Sequence, residues 1–176
     1  PKAFQIKGQP PSGTVVDELV SSIDLAPTVL NLAGVPIPEH IQGQPFLGAD
    51  RPKPRDYVYG ARDRMDERYD IIRMVRNKRF KYIRNYEPLK TFYQYMNTPE
   101  KGATMKDLRE LHLKGSLPEV AEYYFSGQKP VEELYDTQTD PHELVNLAGD
   151  PNYQDTLTTL RQAHIQWVQE TKDLGL

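Results

Sequence analysis

Nine of the 15 prolines in this 176-residue chain fall in residues 1–54, and six in the remaining 122. Proline fixes φ, gives up its N–H, and is excluded from helix interiors and central strands. The first third is thereby restricted to turns, extended connectors and short elements, and regular structure has to concentrate after it. The length allows one domain, or one domain with an appendage. The expected boundary lies around residues 48–56, dividing a terminal piece of 1–54 from a subdomain of 55–176.

Residues 15–34, VVDELVSSIDLAPTVLNLAG, read as a strand, a turn and a short helix. Val15, Val16, Leu19 and Val20 are strand formers. Asp24 is placed to cap the helix, Pro27 to sit in its first turn, and Gly34 to end it in the left-handed conformation. A strand feeding a helix is half of a βαβ unit and cannot bury both faces by itself, so this piece requires a larger sheet beside it. The Pro-rich stretch 35–56 reads as an extended connector.

In the second region the clearest element is a hairpin. Ile71, Ile72, Met74 and Val75 form one strand, Asn77-Lys78 the two-residue turn, and RFKYIRNY (79–86) the partner. Phe80 and Tyr82 share one face, and Arg79 and Lys81 the other. Residues 57–62 and 133–137 are candidate third and fourth strands. Residues 91–127 read as an irregular helical excursion, with starts at Thr98-Pro99 and Thr104, a stop at Gly115, and a capping box from Ser116 to Glu119. Asp150-Pro151 opens a helix running to about 172. Leu157, Leu160, His164, Trp167, Val168 and Thr171 line its apolar stripe, and Gln154, Asp155, Thr158, Arg161 and Gln162 lie on its polar face. The predicted fold class is α+β: a small antiparallel sheet of about four strands packed on a C-terminal amphipathic helix, preceded by the last strand-helix piece of a larger α/β domain.

The chemistry legible in the residues is limited. The formal net charge is −3, from 22 Lys and Arg against 25 Asp and Glu, which argues against a dedicated nucleic-acid binder. No apolar run approaches the roughly 20 residues of a bilayer span. The chain has no Cys, which excludes disulfides, thiolate metal sites and a cysteine nucleophile. His40, His112, His142 and His164 stand in no metal-ligand spacing, and no nucleophile elbow, P-loop or dinucleotide fingerprint occurs. The densest polar cluster is ARDRMDERYD, residues 61–70. One reading is a solvated, self-neutralising loop. The other is a recognition loop in which Arg62 and Arg64 grip an anion bidentately, while Asp63, Asp66 and Glu67 accept hydroxyl or ammonium protons. The basic residues of the hairpin, interleaved with Phe80, Tyr82 and Tyr86, read either as a stacking platform for single-stranded nucleic acid or as an amphipathic sheet.

Two segments carry a family resemblance. LVSSIDLAPTVLNLAGVPIPEHIQGQPFLG (19–48) resembles the segment of sulfatases that closes their large α/β domain, matched at Asp24, Pro27, Thr28, Ala33, Gly34, Pro36, Pro38, Gln42 and Gly43. EELYDTQTDPHELVNLAGDP (132–151) is similar to the family's second late signature, at Glu133, Leu134, Tyr135, Asp136, Asp140, Pro141, Glu143, Asn146, Leu147 and Ala148. The helical excursion and closing helix look most like the sulfamidase (heparan N-sulfatase-like) branch.

The resemblance implies an alkaline-phosphatase-like parent that hydrolyses sulfate esters or sulfamates of a sulfated glycan. It also implies a formylglycine nucleophile, made within a Cys/Ser-x-Pro-Ser-Arg motif, and a calcium ion. This sequence lacks that motif, so both are expected in an N-terminal sulfatase domain that would be this chain's partner. The catalytic and metal residues expected here are none, and the fragment alone is expected to be inert. Its implied role is substrate recognition by the subdomain that flanks the pocket mouth. Neither nucleic acid nor membrane is an expected partner, and the implied location is periplasmic, extracellular or lysosomal. The rival reading is an independent binding module for acidic polysaccharide or nucleic acid.

Overall fold

The computed structural model describes residues 11–174, which divide into two compact units, one ending at Tyr59 and the other beginning at Gly60. In the first unit a 3₁₀ turn, Ser22–Asp24, runs into helix α1, Leu25–Leu32. Gly34, at φ +68°, ends the helix, and the Val35 N–H returns to the Leu30 carbonyl.

The expected strand at 15–20 is not formed. A strand exists only as part of a ladder. The described residues of this unit ahead of Val58 supply none, and Val15, Val16 and Val20 are exposed. Asp24 also departs from its expected role as a helix cap. Its carboxylate is only 1 % exposed and accepts from the Ser21 N–H at 2.7 Å, the Gln44 N–H at 2.8 Å and Arg55 Nη2 at 2.7 Å. Thr28 Oγ1 donates to the Asp24 carbonyl and accepts from the Phe46 N–H, and Asn31 bonds the backbone of Leu47 and Asp50. A Cβ at Gly43 would run into the Ile23 carbonyl. The first signature is thus a staple that lays the proline-rich connector along α1 and satisfies backbone groups that have no ladder.

The second unit is built on a four-stranded antiparallel sheet in the order β1 (Val58–Met65), β2 (Arg68–Arg76), β3 (Phe80–Asn85), β4 (Glu132–Asp136). The β2–β3 register pairs Val75 with Tyr82, and β3–β4 pairs Tyr82 with Leu134. These three residues form the buried row under the closing helix α5, Gln154–Thr171, which contributes Leu157, Leu160 and His164. α5 opens as expected, with the Asp150 carboxylate accepting from the Asn152 N–H ahead of a 3₁₀ turn at Pro151–Tyr153. Along the expected stripe Trp167 is half-buried and Thr171 exposed. Arg161, from the expected polar face, grips Glu132 through Nε and Nη2 at 2.7 and 2.8 Å.

The β2–β3 turn is shifted by one residue from its expected place. Lys78-Arg79 occupy the tip, and the Asn77 N–H bonds the Phe80 carbonyl. Asn77 acts through its side chain, Oδ1 accepting from the Arg79 and Phe80 N–H groups, and not through a positive φ.

The excursion holds α2 (Asn97–Glu100), α3 (Ala103–Leu113) and α4 (Glu119–Glu122), with Gly115 at φ +62° after α3. The capping box expected at Ser116 is absent. Pro118 is the residue before α4, and Ser116 Oγ turns back to the Lys114 carbonyl.

The second signature secures β4. Asn146 Oδ1 accepts from the Leu134 and Ala148 N–H groups, its Nδ2 donates to the Glu132 carbonyl, and the Leu147 N–H reaches the Leu134 carbonyl. The outer edge of β4 is covered by its own downstream loop, which removes an unpaired edge.

Candidate functional site

The 61–70 cluster is a hairpin and not a loop. β1 continues to Met65, the chain turns at Asp66-Glu67 with Asp66 at φ +48°, and β2 begins at Arg68. Strand alternation then separates the five candidate residues: Arg62 and Arg64 lie on one face of β1 and Asp63 on the other, while Asp66 and Glu67 form the tip. The charged residues tolerate strand geometry because most find partners across or beyond the sheet.

On the face beneath α5, Arg73 is 2 % exposed and organises three segments. Its Nε and Nη2 bind the two carboxylate oxygens of Asp173, just past α5, and its Nη1 donates to the Arg62 carbonyl at 2.9 Å. Asp63 Oδ1 lies 2.7 Å from Nη2, an ion pair whose angle is too poor for a hydrogen bond. Asp173 first, and then Asp63, hold the guanidinium above its ordinary range against the opposing effect of burial.

On the opposite face Asp70 and Lys129 form a buried pair, and Asp70 Oδ2 also accepts from Gln94 Nε2 at 3.0 Å. Arg62 Nη1 stands 3.9 Å from the same oxygen. Beside them Glu133 accepts from Asn85 Nδ2 and from the Tyr135 hydroxyl. Arg62 and Asp63 therefore have neighbours that fix the sheet.

The tip differs. Arg64 Nε donates to the Asp66 carbonyl at 2.9 Å, both residues are exposed, and no carboxylate pairs with Arg64 among the described residues. Glu67 Oε1 accepts the Asn97 N–H at 2.7 Å, the bond that most lowers its pKa, and Arg68 Nε reaches the Tyr95 carbonyl. The tip is thus tied to the start of the excursion, leaving one guanidinium and one carboxylate open on a fixed turn. That arrangement can bind an anion and a hydroxyl side by side.

Among the described residues no three His, Asp or Glu side chains come together as metal ligands. The described residues therefore offer no calcium site, and the resemblance implies that ion in the N-terminal sulfatase domain.

The family of N-sulphoglucosamine sulphohydrolase, C-terminal, matches residues 3–113. The chain belongs to this family. It is 44% identical over 156 residues to an ulvan-active sulfatase of Formosa agariphila, covering 89% of the chain and 26% of that protein. It is 28% identical to the N-sulphoglucosamine sulphohydrolase of Homo sapiens, covering 92% of the chain and 34% of that protein. The structure of a 2-O GAG sulfatase superposes with a TM-score of 0.61 at 26% identity, covering 91% of the chain and 27% of that structure. The sulfatase resemblance and the antiparallel sheet with its closing helix are thereby established. The chain spans about a quarter to a third of the length of these relatives.

The residues that carry the two signatures are structural. Asp24, Thr28, Asp136 and Asn146 each bond backbone or a structural arginine. Sequence reasoning missed Arg73, because a basic residue in a strand gives no sign that its partner lies 100 residues away. It also missed Lys129, whose signal was only its place ahead of β4.

Proposed function

We propose that this chain is the C-terminal part of a sulfatase that removes sulfate from a sulfated carbohydrate, and that it contributes substrate recognition while the reaction takes place elsewhere in the enzyme. The carrying observation is the hairpin tip, where Arg64 and Asp66 stand exposed on a turn anchored by Glu67 and Arg68. An arginine fork matches a carboxylate or second sulfate of the substrate, and a carboxylate matches sugar hydroxyls. The names of the relatives, among them a Delta 4,5-hexuronate-2-O-sulfatase of Bacteroides thetaiotaomicron, support a sulfated sugar as the substrate class.

Catalysis needs an activated nucleophile and stabilisation of the charge developing on the leaving group. A formylglycine and a calcium ion in the remainder of the sulfatase would supply these. Arg62 and Asp63 serve the tip indirectly by fixing the strand beneath it. The test is sulfate release from a sulfated oligosaccharide by the intact sulfatase and by the 176-residue chain alone. Release by the intact protein only is the expected result. Turnover by the chain alone would overturn the division of labour.

A further inference from the structure

A cleft of about 940 Å³ opens within the second unit, between β2, the 89–95 segment and α3. Its volume lies in the upper part of the range for ligand sites, larger than a lone sulfate needs. The lining has a consistent character. Arg68, Lys90, Arg109 and His112 bring positive or protonatable groups to it, and no carboxylate lines it.

The acidic partners of these groups hold them in position. Glu100 Oε2 pairs with Arg109 Nη1 at 2.7 Å, and Glu87 Oε1 with Lys90 Nζ at 2.7 Å. Glu122 holds His112 Nδ1, leaving the other ring nitrogen for a ligand. The His112 ring is stacked on Phe125, centroids 4.3 Å apart and planes within 9°. Tyr93 packs against Phe125 at 5.0 Å and donates its hydroxyl to Glu100. Thr91 also lines the cleft, with its hydroxyl buried.

We propose that this cleft is an accessory subsite for an anionic oligosaccharide, holding a sugar unit on its aromatic wall with the sulfates or carboxylates paired to Arg68 and Arg109. Aromatic faces accept the apolar C–H face of a sugar ring, and guanidinium groups accept its anionic substituents bidentately. The proposal rests on the sulfated-carbohydrate reading for its class of ligand. It goes beyond that reading in adding a second contact beside the hairpin tip, so a chain of sugars and not a single residue is recognised.

The test is titration of the isotopically labelled 176-residue chain with a fully sulfated heparin-derived tetrasaccharide, its desulfated counterpart, and a single-stranded oligonucleotide of equal charge. The sulfated sugar is expected to shift the ring resonances of Tyr93, Tyr95 and Phe125. It should bind at least tenfold more tightly than the other two probes. Arg68→Gln with Arg109→Gln should weaken it at least tenfold. Ring resonances of the unsubstituted chain that do not move would overturn the proposal whether or not the variant folds. Equal affinity for the desulfated sugar or for the oligonucleotide would overturn it as well. Failure here with sulfate release by the intact protein preserved rejects the cleft alone, whereas absence of release from any sulfated sugar rejects the functional reading.

Discussion

Arg73 and Asp173 meet as a two-pronged pair across 100 residues of sequence, Nε to Oδ2 and Nη2 to Oδ1 at 2.8 Å. The pair joins the middle of β2 to the second residue after α5, and Asp63 adds a second carboxylate from β1. Sheet and closing helix are therefore held at their open end by charge, where the hydrophobic row of Val75, Tyr82, Leu134 and Leu160 has ended.

Arg73→Met is expected to destabilise the chain by about 1–3 kcal/mol, because it removes charge-assisted hydrogen bonds and leaves two partly exposed carboxylates without their shared cation. Asp173→Asn takes the two-pronged carboxylate from a buried guanidinium and should cost a comparable amount. Urea denaturation measures both, and an unchanged midpoint for Arg73→Met would contradict the clasp.

Leu160→Ala is expected to cost about 2–5 kcal/mol, as for other fully buried aliphatic truncations. Leu160 is 0% exposed, whereas Trp167 is half-buried. Trp167→Ala should therefore destabilise less than a fully buried aromatic would. A larger loss at Trp167 than at Leu160 in the same denaturation series would show that the helix packs on a different stripe.

Asn146→Ala removes two acceptances and one donation that fasten the loop to β4. The expected cost is about 1–3 kcal/mol, with faster amide exchange at Leu134 and Ala148. Unchanged exchange at Leu134 would mean that β4 is held by β3 alone.

Acid should unfold the chain through identifiable groups. Arg161 chiefly holds Glu132 at about 2 against an ordinary 4.5, and Arg79 chiefly holds Asp136 at about 2 against 3.8. An acid with a depressed folded-state pKa binds its proton less readily when folded. The stability these two contribute is therefore complete above their unfolded values and is lost as pH falls toward about 2. His164 acts in the same sense, because burial first, and then Arg84 and Arg73, lower its pKa from 6.5. The denaturation midpoint should decline from near pH 6.5 downward and most steeply below about 4.5, and Glu132→Gln should flatten the lower limb. A midpoint constant down to pH 2 would contradict these assignments.

Much of the second unit was legible because period-2 and period-3.6 patterns report which face is buried. Val75 and Tyr82 on the sheet, and Leu157, Leu160 and His164 on the helix, are where those periods place them. Val15, Val16 and Val20 show the limit of that signal: strand propensity names a partner-seeking segment but cannot supply the partner. The 61–70 cluster misled for a related reason. Its run of charges reads as solvated loop, yet Asp63 and Asp70 are neutralised by Arg73 and Lys129, which local sequence does not connect to them. The cleft was invisible because its walls come from irregular backbone, where no period links Arg68 to Arg109 and Phe125.

On the function proposed above, the hairpin tip reads the carbohydrate beyond its reacting sulfate. The direct measurement is kcat/KM of the intact sulfatase for a sulfated oligosaccharide and for a small aryl sulfate, with and without Arg64→Ala and Asp66→Ala. About a tenfold loss per lost contact, or roughly 1.4 kcal/mol each, is expected on the oligosaccharide, with the aryl sulfate hydrolysed almost normally. Equal losses on both substrates, or none on either, would contradict the account.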